Sequence, residues 1–276
     1  MALNVPVFFK RLASAIVFVA IMLTGLLWTE WAFIALFCAI NFLCMNEYFR
    51  LMGCIDKDAY WPGWMVSAMH IISFILIALF SIKPNQATDD MIWNIGRVLP
   101  VIPALLLLLS VLSKKNSFTA WLQSLGGLLY ITLPMILLIQ MRMQDFVLPL
   151  ALILMIWSND TMAYLVGSFI GKHSFSPISP NKTWEGVIGG ALLTIIGAAV
   201  YGYLSQAYRL VDWMVFALCA TVGGTLGDLL ESKLKRMAGV KDSGTLMPGH
   251  GGAMDRFDSL LVAAPFAFVY ANYFMR

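Results

Sequence analysis

GDLLESKLKRMAGVKDSGTLMPGHGGAMDRFDS, residues 227–259, is the stretch on which the reading of this chain turns. It holds five of the 18 Lys and Arg residues and five of the 15 Asp and Glu residues in a chain of 276. One of only three histidines, His250, sits in its glycine run Gly249-His250-Gly251-Gly252. Apolar runs bound it on both sides, so Asp228 and Asp258 fall at the edges of hydrophobic segments. A block this polar in such a setting asks for a chemical role, because packing alone gives no reason for it.

Outward from that block the chain is 60% hydrophobic and 12% charged, with a mean hydropathy of +0.81. Soluble domains carry about twice that charged fraction, so the composition predicts a polytopic membrane protein. Nine Trp and nine Tyr suit the membrane–water boundary. A net charge of +3 gives no reason to expect a nucleic-acid partner. Cys38, Cys44, Cys54 and Cys219 have no metal-ligand spacing and read as small buried apolar residues. Lys10-Arg11 ahead of an apolar run, with no small-residue cleavage site after it, reads as the start of a retained first span.

Runs long enough to cross about 30 Å of hydrocarbon fall near residues 12–28, 32–51, 61–82, 99–113, 118–140, 146–169, 185–204, 213–230 and 260–274. The expectation is therefore an all-α polytopic protein of about nine transmembrane helices. With a cytoplasmic N-terminus, 13 basic residues lie in inside segments and 5 outside, as the positive-inside rule requires. The same topology puts the loops around 172–182 and 233–256 together on the cytoplasmic side, where water-soluble nucleotides are found. Residues 1–145 then form an N-terminal set of about five spans, and 146–276 a C-terminal catalytic region with the polar loops.

Ionisable groups near the bilayer core cost several kcal/mol and need a partner or a role. Glu47, near the inner end of the second span, is expected to pair with the neighbouring Arg50, and His70 to be a hydrogen-bonded core histidine. Ser158-Asn159-Asp160-Thr161 interrupts an apolar helix, with Tyr164 one turn later, and reads as functional. The loop GKHSFSPISPNKTWEG is broken by Gly171, Pro177 and Pro180 and offers Lys172 and Lys182 as cations, with Ser179, Asn181 and Thr183 as polar donors. Such loops suit phosphate, and a helix starting near 183–185 would aim its N-terminus at the same anion. In the opening stretch Asp228, Ser232 and Lys235 share a helical face, while Gly223, Gly224 and Gly227 permit close helix packing. Carboxylates are hard ligands suited to Mg²⁺, and no His/Cys cluster points to zinc. Carboxylates, cations and a glycine loop together suggest nucleotide phosphoryl or nucleotidyl transfer to a lipid.

These residues resemble a known family. Ser232-x-Leu234-Lys235-Arg236-x4-Lys241-Asp242-x-Gly244 and Pro248-Gly249-His250-Gly251-Gly252-x-x-Asp255-Arg256-x-Asp258 look like the signature of bacterial phosphatidate cytidylyltransferases, or CDP-diacylglycerol synthases. The Gly227–Ser232 run and the segments around Asp160-Thr161 and Ser179–Gly186 are similar to it too. The likeness covers the chain from about residue 157. Met247, Ala253 and Ser158-Asn159 depart from the pattern, and none removes a charge or a glycine.

The resemblance implies the reaction CTP + phosphatidic acid → CDP-diacylglycerol + pyrophosphate in phospholipid biosynthesis, with Mg²⁺ as cofactor and a second cation compatible with it. Resemblance and chemistry together assign Asp228 and Asp255 as metal ligands. Lys241, Asp242, His250, Arg256 and Asp258 complete the catalytic set, with His250 beside the leaving pyrophosphate. Asp160, Tyr164, Lys172, Ser179, Lys182, Thr183, Ser232, Lys235, Arg236, Gly251 and Gly252 are the expected substrate-binding residues. The expected partners are CTP and phosphatidic acid in the bilayer, and a homodimer is an assembly the sequence permits. The expected location is the inner (plasma) membrane, with the site facing the cytoplasm. The alternatives are another CTP-dependent lipid kinase or cytidylyltransferase, which product analysis separates, and an ion-coupled transporter. A transporter would favour two related halves with matched broken helices, which this sequence does not display.

Overall fold

The structure is a computed structural model that describes residues 5–57, 63–81, 117–246 and 251–275. It is almost wholly helical. In chain order the helices are α1 (Val5–Leu27), α2 (Glu30–Ile55), α3 (Gly63–Phe80) and α4 (Ser117–Gly127). A π-helical turn, Leu128–Thr132, joins α4 to α5 (Leu133–Gln144). Then come α6 (Val147–Ile170), strands β1 (Ser174–Ser176) and β2 (Ser179–Thr183), α7 (Trp184–Ser205), α8 (Leu210–Met237) and α9 (Met254–Tyr273). Among the described residues, six helical stretches are long and apolar enough to cross a membrane: α2, α3, the continuous Thr119–Gln144, α6, α7 and α8. The span expected at 99–113 lies outside the described residues, as do Pro248, Gly249 and His250.

Large hydrophobic side chains cover the outer surface, among them Leu193, Ile196 and Val200 on α7 and Phe266 and Val269 on α9. That is the pattern of a protein solvated by lipid rather than water. Inside, Trp213 and Phe216 of α8 are buried with Ala263, Ala264 and Ala267 of α9 and with Met135 and Leu138 of α5. Some of the polar residues within the bundle pair with one another. His70 Nε2 lies 3.1 Å from Asn46 Oδ1, and Asn41 donates to Ser73 Oγ at 3.1 Å. At the end of the bundle remote from the signature turn, Tyr208 donates to Asp145 at 3.0 Å, and burial together with that carboxylate pushes the phenol up to about 12. Of the four free cysteines only Cys44 is buried; Cys54 is exposed at the end of α2, where the helix outruns the packed core.

Two departures from the sequence expectation shape the site. The first is the loop after α6, which forms an antiparallel ribbon with Ser176 opposite Ser179 rather than irregular structure. Pro177 and Ile178 make its turn, so the residues read as breakers shape a hairpin. The second is that α8 runs seven residues beyond the expected end at 230, and α9 starts six before 260. Roughly 42 Å of α8 at 1.5 Å per residue exceeds the ~30 Å of hydrocarbon. Its last turns therefore carry Ser232, Lys235 and Arg236 beyond the apolar layer while staying helical.

Small residues bring these helices close. A Cβ on Gly223 would stand 2.7 Å from the Ala263 Cα, and one on Gly227 would run into the Asp258 carbonyl. Likewise Gly190 of α7 leaves room for the Ala163 backbone of α6, at 2.8 Å from where a Cβ would be. The α6–α7 and α8–α9 pairs so formed are the walls of the site.

Candidate active site

Between these pairs lies a cavity of about 670 Å³. Asn159, Asp160, Tyr164 and Ser168 line it from α6; Asn181, Lys182 and Thr183 from β2; Thr225 and Asp228 from α8; and Asp255, Asp258 and Ser259 from α9. The three segments that stood out for polarity therefore meet in one chamber. Thr183 is the N-cap of α7, its hydroxyl accepting the Gly186 N–H at 3.2 Å, so β2 is welded to the helix it precedes. Glu185 ties the hairpin down by accepting from the Lys172 and His173 amides at 3.2 Å and meeting His173 Nδ1 at 2.6 Å.

Asp228 and Asp258 of the chamber wall and the buried Glu231 bring one carboxylate oxygen each to within 4.8 Å of one another. Asp228 pairs with Lys182 across the cavity and accepts from Ser232 Oγ at 3.4 Å. Asp258 takes the Ser259 N–H at 2.6 Å. Glu231, fully buried, pairs through Oε2 with Lys235, and its Oε1 has no hydrogen-bond partner among the described residues. A buried carboxylate with an orphan oxygen beside two others is an unfavourable arrangement on its own. A hard cation would relieve it, and oxygen-only donors suit Mg²⁺. The donor set thus fits a divalent cation.

Asp255 is built differently from Asp228, with which the sequence paired it as a metal ligand. Its Oδ1 lies 2.6 Å from Lys235 Nζ, and its Oδ2 accepts from the Gly252 N–H at 2.7 Å and the Ser243 N–H at 2.9 Å, with Ser243 Oγ 3.0 Å away. It belongs to the first turn of α9 and faces Ser243 and Gly252. Asp258, one turn on, faces Asp228 across Gly227. Gly251 leads into α9 with φ +82°, a conformation that favours glycine, and a Cβ there would also meet Asp255 Oδ2 at 2.5 Å.

Other expected site residues stand apart from the cavity wall. Lys172, Arg236, Lys241, Asp242 and Arg256 are exposed and Ser179 is half-buried in β2, while Gly252 is buried against Glu47. Glu231 and Glu47 were the residues not singled out for the site. Glu231 follows Asp228 by three positions, a spacing that puts both on one helical face. Glu47 carries no comparable signal. It does not simply pair with Arg50 as expected: it accepts from Ser243 Oγ, Ala253 N and Met254 N, and Arg50 donates to the Ser243 carbonyl. The N-terminal half thus reaches into the signature segment.

Fold and cavity together define an all-helical, membrane-embedded protein with a chamber of acids and cations. The Cytidylyltransferase family model matches residues 9–274, and the chain belongs to that family. Among similar proteins is a phosphatidate cytidylyltransferase of Staphylococcus haemolyticus, 37% identical over 197 residues, or 70% of this chain and 75% of the relative. One of Bacillus subtilis is 46% identical over 115 residues, 41% and 43% of the two chains. One of Staphylococcus saprophyticus is 38% identical over 165 residues, 58% and 63%. The matched segments in the last two span less than two thirds of the relatives.

Proposed function

We infer that this chain is a phosphatidate cytidylyltransferase, forming CDP-diacylglycerol and pyrophosphate from CTP and phosphatidic acid. The observation that carries the reading is the cluster of Asp228, Glu231 and Asp258 beside Lys182 and Lys235, in a membrane-embedded member of the cytidylyltransferase family. A phosphate oxygen of the lipid attacks the α-phosphorus of CTP. The new P–O bond forms as the α–β bridging P–O bond breaks, and the electron pair leaves with pyrophosphate. The nucleophile is already ionised, so no strong general base is needed; the obstacle is repulsion between two anions.

Asp228, Glu231 and Asp258 are the residues that would hold Mg²⁺, which when bound supplies charge neutralisation between the reactants. Lys182 and Lys235, each paired with a carboxylate of the site, are suited to exchange those partners for phosphate oxygens. The exposed cations Lys172, Arg236, Lys241 and Arg256 draw anions toward the protein, and Asp160, Asn159 and Tyr164 form the wall that a nucleotide or lipid headgroup meets. His250 is assigned to the leaving pyrophosphate. In this reading residues 146–276 carry the chemistry, residues 1–145 support them, and the chamber opens to the cytoplasm of a bacterial inner membrane.

Incorporation of radiolabelled CTP into lipid by the purified protein, with and without phosphatidic acid and Mg²⁺, tests the function. Label in CDP-diacylglycerol that requires both additions is the expected result. Release of CDP instead of pyrophosphate would move the chain to a lipid kinase.

A further inference from the structure

We propose that Glu47 is a positioning residue for this reaction, holding from α2 both Ser243 and the start of α9, which set Asp255 and Lys235 against the acid cluster. The proposal rests on the transferase reading above and adds to it a residue from the N-terminal half. The first N–H groups of a helix have no partner within it, and Ala253, at the N-cap of α9, has no side chain to supply one. Glu47 supplies it from another helix, accepting the Ala253 and Met254 amides at 2.9 Å each. A carboxylate is favoured there by the helix dipole.

The same carboxylate takes the Ser243 hydroxyl at 2.7 Å. The backbone at Gly244 and Gly252 approaches it closely: a Cβ on either would strike the Glu47 carboxylate oxygens. Arg50, one turn along α2, donates to the Ser243 carbonyl, so two charged side chains of one helix grip this one residue.

From Ser243 the chain of contacts runs inward. Its N–H donates to Asp255 Oδ2 at 2.9 Å; Asp255 Oδ1 meets Lys235 at 2.6 Å; Lys235 pairs with Glu231 of the acid cluster. Glu47 touches no cavity-lining oxygen of Asp228 or Asp258, so its influence passes through Ser243, Asp255 and Lys235. Residues behind a metal ligand orient it, and their loss typically costs about 10- to 100-fold in metal affinity or activity.

The test uses purified full-length protein with Glu47→Gln, Ser243→Ala and the double variant, each read for kcat, KM for phosphatidic acid, Mg²⁺ activation, melting temperature and hydrogen exchange. Glu47→Gln keeps the shape of the side chain and carries the test if Glu47→Ala does not fold. The expected result is a kcat lowered about 10- to 100-fold, more Mg²⁺ needed for half-activation, an unchanged KM for phosphatidic acid, and faster exchange at Ser243 and Gly252–Asp255. The double variant should lose no more than Glu47→Gln alone, because both act through one network. A Glu47→Gln enzyme with a lowered melting temperature but wild-type kcat and Mg²⁺ response per folded molecule would reduce Glu47 to a structural staple and overturn the proposal. Losses that simply add in the double variant would overturn it too. If wild type itself makes no CDP-lipid, the transferase reading fails, whereas unchanged exchange at Ser243 and Gly252–Asp255 in Glu47→Gln refutes the clamp on its own terms.

Discussion

Glu231 is the residue whose environment says most about the site. It is buried, with one oxygen on Lys235 and the other without a hydrogen-bond partner among the described residues, and charge in that position is tolerated only where something positive joins it. Replacing it by the isosteric glutamine leaves the packing and removes the charge. Glu231→Gln and Asp228→Asn are therefore expected to fold normally by circular dichroism and size-exclusion chromatography. Each should lose at least about a hundredfold in kcat, the scale of deleting one preorganised electrostatic group. Full activity in either purified variant would remove these carboxylates from the metal site. Asp255→Asn is expected to be nearly as damaging by a different route. It breaks the Lys235 contact while leaving the Asp228–Asp258 approach intact, so added Mg²⁺ should restore more of its activity than that of Asp228→Asn.

At the scale of elements, the site depends on two close helix pairs and one capped hairpin. Gly227 lets α8 pass against the Asp258 carbonyl, where a side chain has no room. Gly227→Val should destabilise the protein by about 1–3 kcal/mol through overpacking, and a thermal-shift assay in detergent would record it as a lowered melting temperature with weakened activity. Thr183→Ala removes the α7 cap, at a cost of about 1 kcal/mol. Because Thr183 also lines the cavity, its signature is a raised KM for CTP alongside the smaller thermal shift. The glycine spacing that permits these contacts was readable in advance. The hairpin was not, because Pro177 and Pro180 read equally well as loop breakers and only the pairing across Pro177-Ile178 makes them strand and turn.

For the whole molecule, the lipid-facing exterior and the chamber of acids and cations imply a reaction carried out at the membrane on a charged, water-soluble nucleotide. Chelation of Mg²⁺ by EDTA should abolish lipid labelling and its readdition restore it; activity that survives exhaustive chelation would sink the metal-dependent reading. The expected orientation is testable by placing single cysteines at Lys172 and Asp242 in a cysteine-free background. An impermeant maleimide should label both only after the cell's inner face is opened, and labelling of intact cells would reverse the topology.

Class, the approximate positions of six spans and the family likeness were legible in the sequence because each rests on local pattern. Apolar run length answers to bilayer thickness, and the motif from Ser232 to Asp258 is nearly contiguous. What tertiary structure alone decided is which charges face one another. The helix boundaries place Asp255 in the first turn of α9 and Asp258 one turn later, and that single turn separates a carboxylate held by Lys235 from one facing Asp228. Close packing at Gly227 then adds Asp258 to the α8 pair Asp228 and Glu231. Glu47 lies some two hundred residues from its partners. Its part in the signature segment is a contact between chain halves, which no local spacing encodes.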